Sequence, residues 1–156
     1  MQSLHVNGYD MPYLDVGEAG RGPPLVCVHG SLNDFRVWGS VLGPLSERHR
    51  LICVSLRHFF PEQWDGAGDT YSIAQHVDDV IAFIEKLNLG PVDLMGHSRG
   101  GHVSFRVAQR RPDLLRRLTA ITRCFFDSGP STEYQVRKSP SVPCTQTSGR
   151  PSPTSR

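Results

Sequence analysis

Short, almost unbroken apolar runs recur along the chain at Leu25-Val26-Cys27-Val28, Leu51-Ile52-Cys53-Val54, Val92-Asp93-Leu94-Met95 and residues 118–121. Runs of this length without polar alternation predict strands covered on both faces, as in a parallel sheet. Between them the spacing changes to that of helices. Phe35, Trp38, Val41, Leu42 and Leu45 form an imperfect helical stripe capped by Asn33 or Asp34 and interrupted by Gly39, Gly43 and Pro44. Ile73, Val77, Val80, Ile81, Ile84 and Leu87 form a regular one, opened by the capping box Ser72 and Gln75 and stopped by Gly90-Pro91. A third helix is expected over 98–110, with Val103, Val107 and Ala108 inward and Pro112 ending it. Ahead of all these, residues 4–6 and 11–16 flank Asn7-Gly8, a pair that tolerates positive φ and predicts a hairpin.

Strands alternating with helices from Leu25 onward predict an α/β fold: a mostly parallel sheet with an N-terminal antiparallel hairpin and helices on both faces. Residues 55–71, rich in Gly, Pro and aromatics, read as a long loop of the kind that lines sites. The division expected is a domain over 1–122 and a disordered tail over 123–156. From Ser128 on, Ser, Thr, Pro and Arg dominate, and only Tyr134, Val136, Val142 and Cys144 can add to a core. The abrupt change across 119–127 has the pattern of translation continued in a wrong reading frame; a genuine extension is the alternative.

Composition adds mainly exclusions. The 156 residues carry 17 basic and 15 acidic side chains, a balance that argues for neither nucleic acid nor an anionic membrane surface. The cluster Arg106, Arg110, Arg111, Arg116 and Arg117 lacks interleaved stacking aromatics and reads as a solvated face. No Gly-rich nucleotide fingerprint is present. Cys27, Cys53, Cys124 and Cys144 lack the spacing of a zinc site, so no metal and no cofactor are expected. Cys27 and Cys53 fall inside apolar runs as reduced thiols, and residues 1–5 lack a basic region leading into an apolar core. The expected location is cytoplasmic and the expected partner a small-molecule ester-type substrate.

Gly96-His97-Ser98-Arg99-Gly100-Gly101 leaves a strand and enters a helix, the context of a nucleophile elbow that exposes a serine hydroxyl. Together with His29-Gly30 after an earlier strand, residues from about 25 to 118 resemble the α/β-hydrolase family. The resemblance implies Ser98 as nucleophile and two backbone N–H groups as the oxyanion hole, one from Arg99 and one from the loop after His29-Gly30, with Ser31 the first choice and Leu32 the second. Gly96 and Gly100 let the elbow turn tightly, and His29 and Gly30 shape the loop. His97 and His102 read as structural. The Arg99 side chain meets either a substrate carboxylate or a neighbouring acidic loop. Phe59, Phe60 and Trp64 form either a small core cluster or an acyl-pocket wall.

Two departures qualify the resemblance. Ser55-Leu56-Arg57-His58 stands where many relatives show Asp-x-Arg-Gly, which puts the loop's shape in question. The family also places an acid and then a histidine after the nucleophile, yet no histidine follows His102 and Asp127 is the one aspartate after Asp113. The expectation is therefore a shortened, inactive serine hydrolase of carboxylic-ester type, with turnover lowered by about 10⁴ to 10⁶-fold. A non-catalytic protein binding a small molecule or partner chain is the alternative, and a second polypeptide supplying the acid and histidine a third. An uncovered sheet edge predicts self-association. Serine in place of aspartate disfavours the alkyl-enzyme chemistry of the related dehalogenases and epoxide hydrolases.

Overall fold

The computed structural model describes residues 1–18, 22–68 and 71–122 in full, and 132–137 as backbone. Strands β1 (Gln2–Val6) and β2 (Tyr9–Val16) form the expected hairpin, turning through Asn7 at φ 46° and Gly8 at φ 71°. Positive φ at both central residues matches the right-handed twist of the flanking strands, which is why Asn-Gly serves here.

Five further strands follow: β3 (Leu25–Val28), β4 (Leu51–Val54), β5 (Val92–His97), β6 (Leu115–Thr122) and β7 (Thr132–Arg137). They complete one sheet in the order β1-β2-β4-β3-β5-β6-β7. β4, β3, β5 and β6 run parallel, while β2 and β7 join antiparallel at the two sides. Strand β7 lies in the segment expected to be a disordered tail; the rest of 123–156, with Cys124, Asp127 and Cys144, lies outside the described residues.

The helices differ in how well their stripes hold. The stretch over 35–45 is split into a 3₁₀ turn, Phe35–Trp38, and the short helix α1, Gly39–Ser46. Asp34 settles the choice of cap by accepting the Arg36 N–H at 2.9 Å and its Nε–H at 2.8 Å. Helix α2 (Ile73–Leu87) starts where predicted, with Ser72 Oγ accepting the Gln75 N–H at 3.0 Å. It stops earlier than Gly90-Pro91, at Asn88 in the left-handed region (φ 49°). Helix α3 (Arg99–Arg110) buries Val103 and Val107 and leaves Ala108 half-buried.

Successive side chains of a strand face opposite ways, so β3 and β4 feed two cores. Val26, Val28, Ile52 and Val54 pack with α2 and α3, while Cys27, Leu51 and Cys53 pack under Phe35 and Trp38. Helices thus cover both faces, as expected. Both cysteines are buried free thiols. Three of the five arginines of the basic cluster are paired: Arg110 meets Asp78 at 2.7 Å, Arg111 meets Asp113 at 2.7 Å and also Glu85, and Arg116 Nε meets Asp93 at 2.8 Å. No helix among the described residues is long and apolar enough to cross a membrane.

Candidate active site

The end of β5 sets the geometry. Ser98 sits between β5 and α3 at φ 53°, ψ −117°, a conformation that costs a non-glycine residue about 1–3 kcal/mol and must be held by its surroundings. The Ser98 N–H donates to the Ile121 carbonyl of β6 at 2.7 Å, which ties the turn to the sheet. A Cβ at Gly96 would lie 2.5 Å from Ser104 Oγ and closer still to the Gly100 carbonyl. One at Gly100 would lie 2.7 Å from the Val28 carbonyl carbon and press on the oxygens of Val28 and His29. In both cases the nearest atom is backbone, so only glycine lets α3 start this near to β5 and β3. Ser98 is exposed, and no described residue hydrogen-bonds its hydroxyl.

The loop after β3 packs on this turn. A Cβ on Gly30 would stand 3.0 Å from Ser98 Cβ and 3.1 Å from His97 Nδ1. His29 is fully buried; its Nδ1–H donates to Gly30 O at 2.7 Å and its Nε2 accepts the Leu56 N–H at 3.0 Å. Burial lowers its pKa and keeps the ring neutral. With both nitrogens occupied, His29 ties this loop to the one after β4. Ser31 follows, exposed, with its carbonyl accepting Asn33 Nδ2 at 3.3 Å; Leu32 is exposed at φ 61°.

The loop after β4 has its own scaffold in place of the glycine pattern. His58 stands at φ 71°, the left-handed conformation a glycine takes readily, with its ring 4.5 Å from that of Trp64 and Nδ1 3.3 Å from Glu62 Oε1. Ser55 Oγ–H donates to Phe60 O at 2.5 Å. Phe59 packs against the main core and meets His29 edge-on at 4.8 Å and Tyr71 at 5.9 Å, in line with the core alternative; Phe60 is exposed beneath the Arg36 guanidinium.

Beneath this loop lies a polar network on α2 that sequence reasoning missed. Asp79, fully buried, accepts Arg57 Nε at 3.0 Å and Nη2 at 3.1 Å, Asn7 Nδ2 at 3.0 Å and Gln75 Nε2 at 2.9 Å. The carboxylate raises the Arg57 pKa. His76, also buried, donates from Nε2 to Arg57 O at 3.2 Å and accepts Arg99 Nε–H on Nδ1 at 3.1 Å. Burial and the adjacent Arg99 charge push its pKa down to about 4. The signal was present: His76 and Asp79 fall in phase with the apolar stripe of α2, where a polar residue needs a buried partner.

His97 is exposed, and His102 lies 3.4 Å from Thr122 Oγ1 on the outer side of α3. Neither imidazole is hydrogen-bonded to the Ser98 hydroxyl; the His102 backbone N–H donates to the Ser98 carbonyl at 3.2 Å as part of the helix.

Several known proteins are similar to this chain. A succinate-derivative hydrolase of Acinetobacter baylyi, (E)-2-((N-methylformamido)methylene)succinate hydrolase, is 28% identical over 127 residues, covering 78% of this chain and 45% of its own. A soluble epoxide hydrolase of Corynebacterium sp. is 33% identical over 119 residues, covering 72% and 38%. A haloalkane dehalogenase of Mycolicibacterium paratuberculosis is 32% identical over 109 residues, covering 69% and 36%. The chain spans less than half the length of each. Among solved structures, an epoxide hydrolase from Vigna radiata superposes with a TM-score of 0.68 at 27% identity, over 75% of this chain and 36% of its own. The family model of the alpha/beta hydrolase fold matches residues 23–140, which takes in the loop after β3, the elbow at Ser98 and strands β3 to β7, and the chain belongs to that family.

Proposed function

We propose that this chain carries the nucleophile and oxyanion hole of a hydrolase acting on an ester, lactone or thioester, with Ser98 as the nucleophile. The observation that carries the reading is the exposed Ser98 hydroxyl, held at positive φ on a strand-to-helix turn with Gly30 packed against it. In this reading Ser98 Oγ attacks the carbonyl carbon, and the oxygen that gains charge is met by two backbone N–H groups. Arg99 N–H opens α3 and has no carbonyl one turn back to bond, and Ser31 N–H follows the loop glycine. His29, Gly30, Gly96 and Gly100 hold the two segments at this spacing. A hydroxyl needs a base to attack at neutral pH, and no described imidazole is bonded to Ser98, so simple-ester turnover is expected about 10⁴-fold or more below that of a complete triad.

The nucleophile is testable without turnover. The full chain incubated with a fluorophosphonate should gain one phosphonyl group, slowly, mapped to Ser98 by peptide mass, with none at that position in Ser98→Ala. Other serines reacting while Ser98 stays unmodified would refute it. The unbonded hydroxyl also supports a second reading, a protein that binds a small molecule without turning it over; saturable ester binding unchanged in Ser98→Ala, without labelling, would favour it.

A further inference from the structure

We infer that the Arg99 guanidinium forms a carboxylate-binding subsite beside Ser98, so that the acyl substrates of this chain carry a negative charge close to the scissile carbonyl. The inference rests on the Ser98 reading and deepens it to a substrate class.

Arg99 is fixed but not neutralised. Its Nε–H donates to His76 Nδ1 at 3.1 Å, and its guanidinium lies 4.2 Å over the Tyr71 ring. Both groups are uncharged: a nitrogen that accepts a hydrogen bond belongs to a neutral imidazole, and Tyr71 offers only its π face. Among the described residues no carboxylate pairs with Arg99. Arg36, Arg50, Arg57, Arg110, Arg111 and Arg116 each meet an aspartate or glutamate; among the described residues Arg48, Arg106 and Arg117 also lack one, but they are exposed, whereas Arg99 is half-buried. The contacts leave the Nη1 and Nη2 edge of the fork, the edge that fits a carboxylate through two parallel hydrogen bonds.

The contacts also link that charge to the residues around Ser98. Gly30 packs on Ser98, and the neighbouring His29 ring meets Phe59 at 4.8 Å. Phe59 meets Tyr71 at 5.9 Å, Tyr71 lies under Arg99, and Arg99 is bonded to Ser98. Arg99 thus follows the nucleophile directly in the chain, and its guanidinium rests on a run of aromatic contacts that leads back to the loop packed on Ser98. His76 is anchored in turn through Arg57 O at 3.2 Å, and Arg57 through Asp79, which pre-organises the fork before any ligand arrives.

Trp64 stacks on Tyr71 at 5.1 Å and supplies a fluorescence signal for binding to the full chain. Monomethyl succinate should bind at least about 10-fold more tightly than dimethyl succinate, as expected for a hydrogen-bonded charge pair. Arg99→Gln should bring the two to parity, and Arg99→Lys, which keeps the charge and loses the fork, should keep part of the preference. Circular dichroism confirms that each variant is folded. Equal binding of the two esters, no binding of either to the folded chain, inorganic phosphate competing as well as monomethyl succinate, or a preference that survives Arg99→Gln would each overturn the subsite. The two readings fail separately. A preference lost in Arg99→Gln sustains the subsite even if Ser98 never takes a phosphonyl group, and a labelled Ser98 without a preference leaves the nucleophile standing alone.

Discussion

Replacing Asp79 by alanine tests whether the network on α2 holds the loop after β4 in place. The carboxylate has no exposure to solvent and takes four hydrogen bonds, two of them from Arg57, whose own side chain is only 12% exposed. Its loss leaves a largely buried guanidinium with no counter-charge, a change that costs about 3–5 kcal/mol. Arg57 Nη2 keeps its bond to Asn7 O at 3.0 Å, which solvates part of the charge and favours the lower half of that range. Against a total stability of about 5–15 kcal/mol, this is a large share. The melting temperature should fall by roughly 10 °C, at about 2–4 °C per kcal/mol for a domain of this size. Urea unfolding followed by circular dichroism at pH 7 measures it. The double variant Arg57→Met with Asp79→Leu removes both charges at once and should recover more than half of the loss, because a buried pair owes little of its stability to the charges themselves. A loss below about 1 kcal/mol for Asp79→Ala would place the pair among surface salt bridges and refute the reasoning. So would a double variant no more stable than the single one.

Two further outcomes follow from the site. Gly100→Ala should destabilise by at least about 1–3 kcal/mol and abolish fluorophosphonate labelling of Ser98, since the new methyl meets the Val28 and His29 backbone and α3 must shift; denaturant midpoints and peptide mass check both. Acid should weaken the fold through His76: its folded pKa of about 4 lies below the ordinary 6.5, so the unfolded chain binds more protons between those values, and stability falls as pH drops from about 6.5 to about 4, then levels off. The penalty from this group is about 3 kcal/mol, buried His29 adds in the same direction, and a His76→Gln chain should show a shallower slope over that window when unfolding is followed against pH.

The parts of the fold that the chain declares openly are those decided by local rules. Asn7-Gly8 can turn a hairpin because both residues tolerate positive φ, and Ser72 can cap α2 because its hydroxyl reaches the Gln75 N–H three residues on. The same holds for Ser98, whose elbow needs glycine at 96 and 100 and whose strand and helix are written in adjacent residues. Where a local rule competes with a long-range partner, the reading falls short. Gln75 has the spacing to complete a capping box, in which its side-chain oxygen would accept the Ser72 N–H, yet its side chain is held instead by donating Nε2–H to the buried Asp79 carboxylate at 2.9 Å, a charge-assisted bond. The stripe over 35–45 looks like one helix, yet Asp34 binds Arg36 and tightens the first turn into a 3₁₀ segment before Gly39.

His58 carries the same lesson into the site. The family pattern puts a glycine there, and a histidine predicts a loop of different shape. The backbone nevertheless stands at φ 71°, and the side chain is held by the tilted Trp64 ring and by Glu62, which meets both the His58 imidazole and its N–H. The conformation is therefore set by packing across the loop and tolerated by the residue, the reverse of the order that a glycine would suggest. The strain of a non-glycine residue at positive φ, about 1 kcal/mol or more, is sustained by contacts that also build the aromatic wall running from Trp64 through Tyr71 to Arg99. The departure from the family pattern and the environment of the Arg99 charge are thus one structural feature: the residue that replaces the glycine supports the ring on which the guanidinium rests.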